Sequence, residues 1–530
     1  MKKNSFVGGT IIATLSIVIT KILGILYVIP FYKMIGVMGS ALYAYAYNIY
    51  VIFLDISTCG LPIAISKVVN EYDTLGNMDK KKQTYYVGNR IMGIVAIVVF
   101  IVLFSCSRLI AKLLVGDLEN GNSIGNVSIV IKCISLSLLI VPFLSVSKGY
   151  LQGHNIMKVS GISQIIEQVV RVVIVLLGTF IVLYIFNGSI TLAVCVSLLG
   201  AFFGALISYL YVRIKIGKIE VKKVIDKIIL KKIIRYAIPF IIINVVSSLY
   251  NFVDMTIILK TLKYVGYETY DIEFLCSAVT TWAPKINMIV TSLAMGMSMS
   301  LIPTIVSSFT KKDFVSVNKN VNQAIEIVLF ISLPLVIAIS MVASDVWNIF
   351  YGYNYYGGSI LKLNIFMGLL INLFMILSST LQGLNSFKLV YISTLVGFFI
   401  NAFLDVPFII ILSKYGIGYL GSIVSSMVGY SLSIIIALWG LKKECNVDYM
   451  EIKIFIKKLI IPLIIEVVIL FVINHIRWFS VSNKILSFLY VGSCGLICFG
   501  IYIVVCYKMG IVTKIFGSGI IKKLTFGKIS

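Results

Sequence analysis

Leu151-Gln152-Gly153-His154-Asn155-Ile156-Met157-Lys158 lies between two long apolar runs, 127–150 and 159–186. It recurs 230 residues later as Leu381-Gln382-Gly383-Leu384-Asn385-Ser386-Phe387-Lys388, between the runs 359–381 and 389–413. The shared form LQGxNxxK marks the same short link in two copies of one unit. Six apolar segments separate the copies. Six is an even number, so both copies enter a bilayer in the same sense, related by an axis along the membrane normal.

Outward from this link, the chain divides into fourteen apolar segments, from 5–31 to 485–507. Most exceed the roughly 20 residues that a helix needs to cross a bilayer and so suit tilted helices. The runs are continuous rather than alternating, which selects helices over barrel strands. The first run is too long for the core of a signal peptide and lacks a small-residue cleavage site, so it is read as helix 1. The expected fold is all-α and polytopic: about fourteen transmembrane helices in two six-helix lobes, plus two extra C-terminal helices. The expected limits are 1–212 for the N-lobe, 213–235 for a linker, 236–440 for the C-lobe, 441–508 for helices 13 and 14, and 509–530 for a basic tail.

Composition agrees. Of 530 residues 59% are hydrophobic and only 12% charged, against about 25% charged in soluble domains. This excludes an ordinary cytosolic enzyme, a disordered chain and a secreted disulfide scaffold. The nine cysteines show no metal or disulfide spacing and read as packing residues. The net charge of +24 would suit a nucleic-acid binder in a soluble protein. Here it sorts by loop. With the N-terminus inside, about 32 Lys and Arg fall on the cytoplasmic side and about nine on the other. That is the positive-inside pattern, with both termini cytoplasmic and no nucleic-acid partner. The largest inside loop, 213–235, puts Val221, Val224, Ile225, Ile228, Ile229 and Ile233 on one face and lysines on the other. It reads as an interfacial amphipathic helix linking the halves, with the tail 511–528 a weaker second example.

Ten ionisable residues remain at membrane depth: Lys21, Asp55, Lys132, Glu167, Arg171, Asp254, Lys285, Glu326, Asp405 and Glu466. Each costs a few kcal/mol there and should face a cavity or a partner. Lys132 and Glu326 stand near span ends, where snorkelling accounts for them. Glu466 has no account at this level. Glu167 and Arg171 share a helix face at i, i+4 in the favoured order, with Gln164 one turn earlier. They form either a self-neutralising structural pair or part of a substrate site. For Lys21, Asp55 and Lys285 the spacing offers no opposite charge one turn away, which makes them candidates for lining a hydrated cavity between the lobes. Asp254 is a candidate coupling carboxylate alongside Asp55. Lys67 and Arg90 would guard the inner mouth. Basic groups in such a cavity suit an anionic headgroup.

Enzymatic signatures are absent. There is no GxxxxGK[ST] and no HExxH, and the two histidines are isolated, so neither a nucleotide engine nor a metal or other cofactor is expected. Gly416-Ile417-Gly418-Tyr419-Leu420-Gly421 matches GxGxxG but lies between membrane spans with no βαβ context. The nine prolines all lie in or at the ends of spans, where bending is tolerated.

Leu23 to Phe31 (LGILYVIPF), Ala41 to Tyr50 (ALYAYAYNIY), Gly60 to Tyr72 (GLPIAISKVVNEY), Lys148 to Asn155 (KGYLQGHN) and Ser163 to Arg171 (SQIIEQVVR) resemble the polysaccharide-export branch of the multidrug/oligosaccharidyl-lipid/polysaccharide superfamily. Within it the likeness is to Gram-positive MurJ-type lipid II flippases, beside the stage V sporulation protein B group. The resemblance spans the whole chain. It implies a non-enzymatic plasma-membrane transporter that moves undecaprenyl-pyrophosphate-linked peptidoglycan precursor outward by alternating access. It further implies a cationic cavity and a lipid-tail groove on helices 13 and 14, with the lipid-linked oligosaccharide, the bilayer and cell-wall synthesis enzymes as partners. Lys21 stands where family members often carry Arg. Carriers of another lipid-linked glycan or teichoic-acid unit, a cation-coupled multidrug exporter, and a non-transporting scaffold are the alternatives.

Overall fold

The computed structural model describes residues 16, 19–58, 60–116, 118, 120–154, 156–219, 224–298, 301–476 and 483–516. Among them there is no strand, and twelve helices are long and apolar enough to cross a membrane. The protein is an all-α polytopic membrane protein. Two of the fourteen expected spans are not among the twelve. The first, 5–31, lies mostly outside the described residues. The eighth is divided into Thr269–Ser277, Ala283–Ser298 and Ile302–Thr310, with a π turn at Ala278–Trp282.

The chain packs as two compact units, residues 1–281 with 409–418 and residues 282–408 with 419–530. The first contains helix Val28–Thr58, which bends at Gly36 (φ 63°), then Leu61–Thr74, Met78–Val115, Ile124–Ser135, Val141–Gly153, Met157–Val173, Ile190–Ile216 and Lys227–Val265. The second contains Phe314–Met341, Tyr355–Gly383, most of Phe387–Ser413, Gly421–Cys445, Met450–Ile476 and Lys484–Lys508. The last two helices, the expected helices 13 and 14, are held to the second unit by polar contacts. Ser487 Oγ donates to Asp345 (2.8 Å), Tyr502 OH to the Phe330 carbonyl (2.9 Å), and Asn474 Nδ2 to the Met341 carbonyl (3.2 Å).

Helix starts are marked by short polar side chains that accept from free N–H groups. Asn77, Ser123, Ser189, Asp226, Asp313, Asn354 and Asn483 all do this. At exposed Asp313 the hydrogen bonds from Ser316 hold the carboxyl below its ordinary value.

The described part of the 213–235 loop is not a separate surface helix. Residues 213–216 end one helix, and 227–235 begin the 39-residue helix Lys227–Val265. Ile229, Ile233 and Ala237 are buried against Leu61, Ala64, Ile65, Val68 and Tyr72. Ile229 and Ile233 of the expected stripe thus find protein, whereas Val224, Ile225 and Ile228 remain exposed. Residues 220–223, including Val221, and the tail from 517 lie outside the described residues. The tail's described helix, Ile511–Phe516, docks through Lys514 on Glu326. Glu326 is 3% exposed and ion-paired, so it does not snorkel.

Both copies of LQGxNxxK serve close packing of the helix they end. A β-carbon on Gly149 would lie 2.6 Å from the Pro62 backbone, and one on Gly153 2.7 Å from Val69. On Gly383 it would lie 2.7 Å from Val306. The contacted helices, Leu61–Thr74 and Ile302–Thr310, both carry proline in their first turn. The first follows Gly60, whose φ of 78° suits glycine and whose missing β-carbon lets the Ala237 carbonyl approach. The repeat extends further. Ser208 Oγ donates to the Ser163 carbonyl at 2.7 Å, and Ser433 Oγ to the Ser393 carbonyl at 2.8 Å. One turn earlier, Gly204 packs on the Glu167 carbonyl and Gly429 on the Gly397 carbonyl. Ser163 and Ser393 are again 230 residues apart.

Gly149→Ala should lower the thermal midpoint of the purified protein, because overpacking against backbone costs about 1–3 kcal/mol. Gly492→Ala, with no heavy atom within 4 Å, should leave it unchanged or raise it. Equal midpoints for the two variants would contradict the close-packing role.

Candidate functional site

The i, i+4 pair on helix Met157–Val173 forms as its spacing predicts. Arg171 Nη2 donates to Glu167 Oε1 at 2.9 Å. The second carboxylate oxygen is also occupied: Lys148 Nζ donates to Oε2 at 3.0 Å. The pair is therefore a triad of one acid and two bases. Its side chains keep only 15–27% of their exposure.

The neighbouring helix Ile190–Ile216 sets the position of this triad. A β-carbon on Gly200 would lie 3.0 Å from the Arg171 carbonyl, and one on Gly204 2.6 Å from the Glu167 carbonyl. The sequence Gly200-Ala201-Phe202-Phe203-Gly204 is a GxxxG pattern, in which small residues let two membrane helices touch backbone to backbone. Glu167 and Arg171 cannot turn toward that side. They face a cavity of about 90 Å³ lined by Tyr27, Tyr43, Tyr47, Tyr50 and Ser197. Tyr43 and Tyr47 stack with ring centres 5.5 Å apart, and Tyr27 and Tyr43 are hydrogen-bonded. Arg171 Nε is buried and has no hydrogen-bond partner among the described residues.

The other expected residues are distributed more widely. Asp55 accepts a hydrogen bond from Ser248 on helix Lys227–Val265. Asp254, on the same helix, is buried. Asn48 Nδ2 donates to Thr281 at 2.9 Å and to the Ala44 carbonyl at 3.0 Å. Gln164 is half-buried and makes no hydrogen bond to a described residue. Lys21 is half-buried in the helical residues 19–26. That segment passes beside Gln168, whose Nε2 lies 3.4 Å from where Gly24 would carry a β-carbon. Lys285 belongs to the second unit, with Nζ 4.3 Å from the Trp282 ring centre. Lys67 lies 4.2 Å from the Tyr236 ring centre, and Arg90 Nε donates to Tyr86 OH at 3.2 Å. Nearby, Lys232 pairs with Glu71 at 2.5 Å. Lys67 and Arg90 thus each lie against an aromatic ring.

The spacing missed several groups. Lys148 lies inside helix Val141–Gly153, one turn before Gln152, where no spacing along helix Met157–Val173 points to it. The tyrosine run 43–50 was visible only as a resemblance, although its period places Tyr43, Tyr47 and Tyr50 on one helix face. In the second unit, Asp405 is fully buried and accepts from Ser425, while Asn401 Oδ1 accepts from Ser426 at 2.8 Å. Asn401 stands 230 residues after Arg171, and its β-carbon meets Gly429 as that of Arg171 meets Gly204. At this equivalent place the first copy carries the cation Arg171 and the second the neutral Asn401, with the buried acid Asp405 one turn further on. Glu466 is 2% exposed, with Oε2 lacking a hydrogen-bond partner among the described residues.

Comparison with known proteins follows the same outline. The family model described as "Polysaccharide biosynthesis protein" matches residues 6–309, and the MatE model matches residues 277–406. The chain is 30% identical over 532 residues to lipid II flippase MurJ of Bacillus subtilis (strain 168), covering 96% of each chain. It is 24% identical over 361 residues to stage V sporulation protein B of the same organism, covering 66% of this chain and 68% of that one. Among solved structures, lipid II flippase MurJ in an inward closed conformation shares the fold. The TM-score is 0.71 at 16% identity, over 94% of this chain and 99% of that one.

The shared carboxylate orders the effects of substitution. Glu167→Gln leaves two buried cations without an acceptor, whereas Arg171→Gln leaves Glu167 paired with Lys148. Removing one side of a buried pair costs about 3–5 kcal/mol, and residual exposure puts this site at the low end. Glu167→Gln should therefore lower the thermal midpoint more than Arg171→Gln, with the double variant between them. Equal midpoints for the two single variants would show that Lys148 contributes nothing.

Proposed function

The chain belongs to the polysaccharide biosynthesis protein family, within which it is a homologue of the lipid II flippase MurJ, and from that membership we propose that it moves an undecaprenyl-pyrophosphate-linked peptidoglycan precursor from the inner to the outer leaflet by alternating access. The observation that carries this reading is the 30% identity that runs from end to end of both chains. The buried polar groups of the first unit support it. A soluble headgroup must cross hydrocarbon, and charged side chains at depth are otherwise costly.

Both termini are cytoplasmic in this reading, from the loop distribution of Lys and Arg. Residue 80 should then be protected from an impermeant thiol reagent in intact cells when replaced by cysteine, and residue 354 should be labelled. The reverse pattern would invert the topology.

The chain carries no nucleotide-binding loop in its sequence, so the drive comes from a gradient or from consumption of the product outside. A diphosphate headgroup carries about two negative charges. Moving one charge through 100 mV is worth about 2.3 kcal/mol, and the cell interior is negative. Outward movement is favoured when the empty carrier returns with less charge. Lys21 on helix 1 neutralises part of the headgroup charge during the crossing, and Lys keeps this role without the bidentate fork of Arg. Expression of the chain should rescue cells depleted of their lipid II flippases. Lys21→Arg should retain that rescue and Lys21→Gln should lose most of it. Potassium with valinomycin should reduce the precursor found in the outer leaflet. Failure to rescue would refute the substrate, and undiminished transport in depolarised cells would refute the electrophoretic drive.

A further inference from the structure

We propose that the tyrosine-lined cavity at Arg171 is an anion subsite, which holds one small singly charged group, a carboxylate or a halide ion, inside the first unit. Four observations lead there. The triad of Lys148, Arg171 and Glu167 carries two positive charges and one negative. Among the described residues no other carboxylate lies within ion-pair distance of either cation. The surplus of one positive charge sits about 21 Å along a helix that begins at Met157, by a rise of 1.5 Å per residue, and so in the middle of the 29-residue span Met157–Ile185. At that depth an uncompensated charge is strongly disfavoured.

The second observation is the donor balance. Arg171 uses Nη2 on Glu167, while its Nε–H is buried with no acceptor among the described residues. An arginine has five N–H donors and no acceptor. Tyr47 and Tyr50 bring two more hydroxyls to the same cavity wall. Each hydroxyl can accept as well as donate, but what the site lacks is an acceptor that carries negative charge.

Size is the third. A cavity of about 90 Å³ accommodates a few waters or one small anion. It is far below the roughly 300 Å³ at which pockets for drug-sized ligands begin. A diphosphate sugar does not fit, and its double charge would overcompensate the site. The fourth is the contrast between the two copies of the repeat. The position equivalent to Arg171 in the second unit is Asn401, beside the buried acid Asp405. The cationic surplus therefore belongs to the first copy and is no general requirement of the packing. A self-neutralising Glu167–Arg171 pair would explain neither Lys148 nor the cavity.

The acceptor has two possible sources. It is a free anion such as chloride or, resting on the flippase reading above, a carboxylate of the transported headgroup. The test begins without transport. The thermal midpoint of the purified full-length protein is followed as chloride, acetate or the bulky anion gluconate is raised to 200 mM at constant ionic strength. Chloride and acetate should raise the midpoint of the wild type by roughly 2 °C, and gluconate should not. Glu167→Gln, which raises the surplus to two charges, should start lower but respond more steeply. The double variant Glu167→Gln/Arg171→Gln should give a flatter response than Glu167→Gln alone, and Tyr47→Phe a weaker one than the wild type. A merely structural triad predicts no steeper response in Glu167→Gln. Equal responses to chloride and gluconate, or a Glu167→Gln slope no greater than that of the wild type, would overturn the proposal. A soluble muropeptide that abolishes the acetate response assigns the site to the headgroup carboxylate, and one that leaves it intact assigns it to the free ion. Because the readout is a midpoint, its outcome is independent of whether the cell-based rescue succeeds.

Discussion

Hydrocarbon supplies no hydrogen-bond partner, and this constraint organises the interior. Backbone groups satisfy it by coiling into helices. Polar side chains satisfy it by finding one another. Glu167 divides its two oxygens between Arg171 and Lys148, Asp55 takes a proton donor from Ser248, and Glu326 takes Lys514. Fully buried Glu273 is held by both the backbone N–H and the side-chain amide of Asn122, each at 2.8 Å. Serine and threonine hydroxyls in the spans turn back to carbonyls three or four residues earlier. Most of these partners come from another helix or another turn, so satisfying the polar groups also fixes which helices are neighbours.

Such pairings require helices close enough for short side chains to reach. Glycine provides that approach. Gly204 brings helix Ile190–Ile216 against the Glu167 carbonyl, and one turn on Ser208 reaches the Ser163 carbonyl. Gly429 and Ser433 repeat the arrangement in the second unit. The same close contact that joins the helices turns Glu167 and Arg171 away from the packed face toward the tyrosine-lined cavity. Packing and site geometry are thus one arrangement, and the duplicated framework has been filled differently in its two copies.

Charge placement follows from the same economy. The first unit gathers cation–aromatic contacts at Lys67 and Tyr236, Lys232 and Tyr72, Arg90 and Tyr86, and Arg213 and Tyr85. Rings that sit well at an interface offer their faces to the cations. These charges are thereby held against aromatic rings instead of being left extended in water.

The sequence by itself determined the fold class, the helical runs and the duplication, because each follows from local pattern: apolar length, turn residues and a motif seen twice. It also determined the Glu167–Arg171 contact, since i, i+4 neighbours meet on any helix. Tertiary structure decided what no spacing along one helix can express. Lys148 reaches Glu167 across 19 residues, and Ser248 reaches Asp55 across 193. Of the expected amphipathic stripe, Ile229 and Ile233 met a protein face on helix Lys227–Val265, while Val224, Ile225 and Ile228 stayed exposed. An amphipathic pattern states that a face must be covered, and only the packed chain states by what. For the same reason, an ionisable residue at depth announced a partner, while the partner's identity waited on the approach of a second helix.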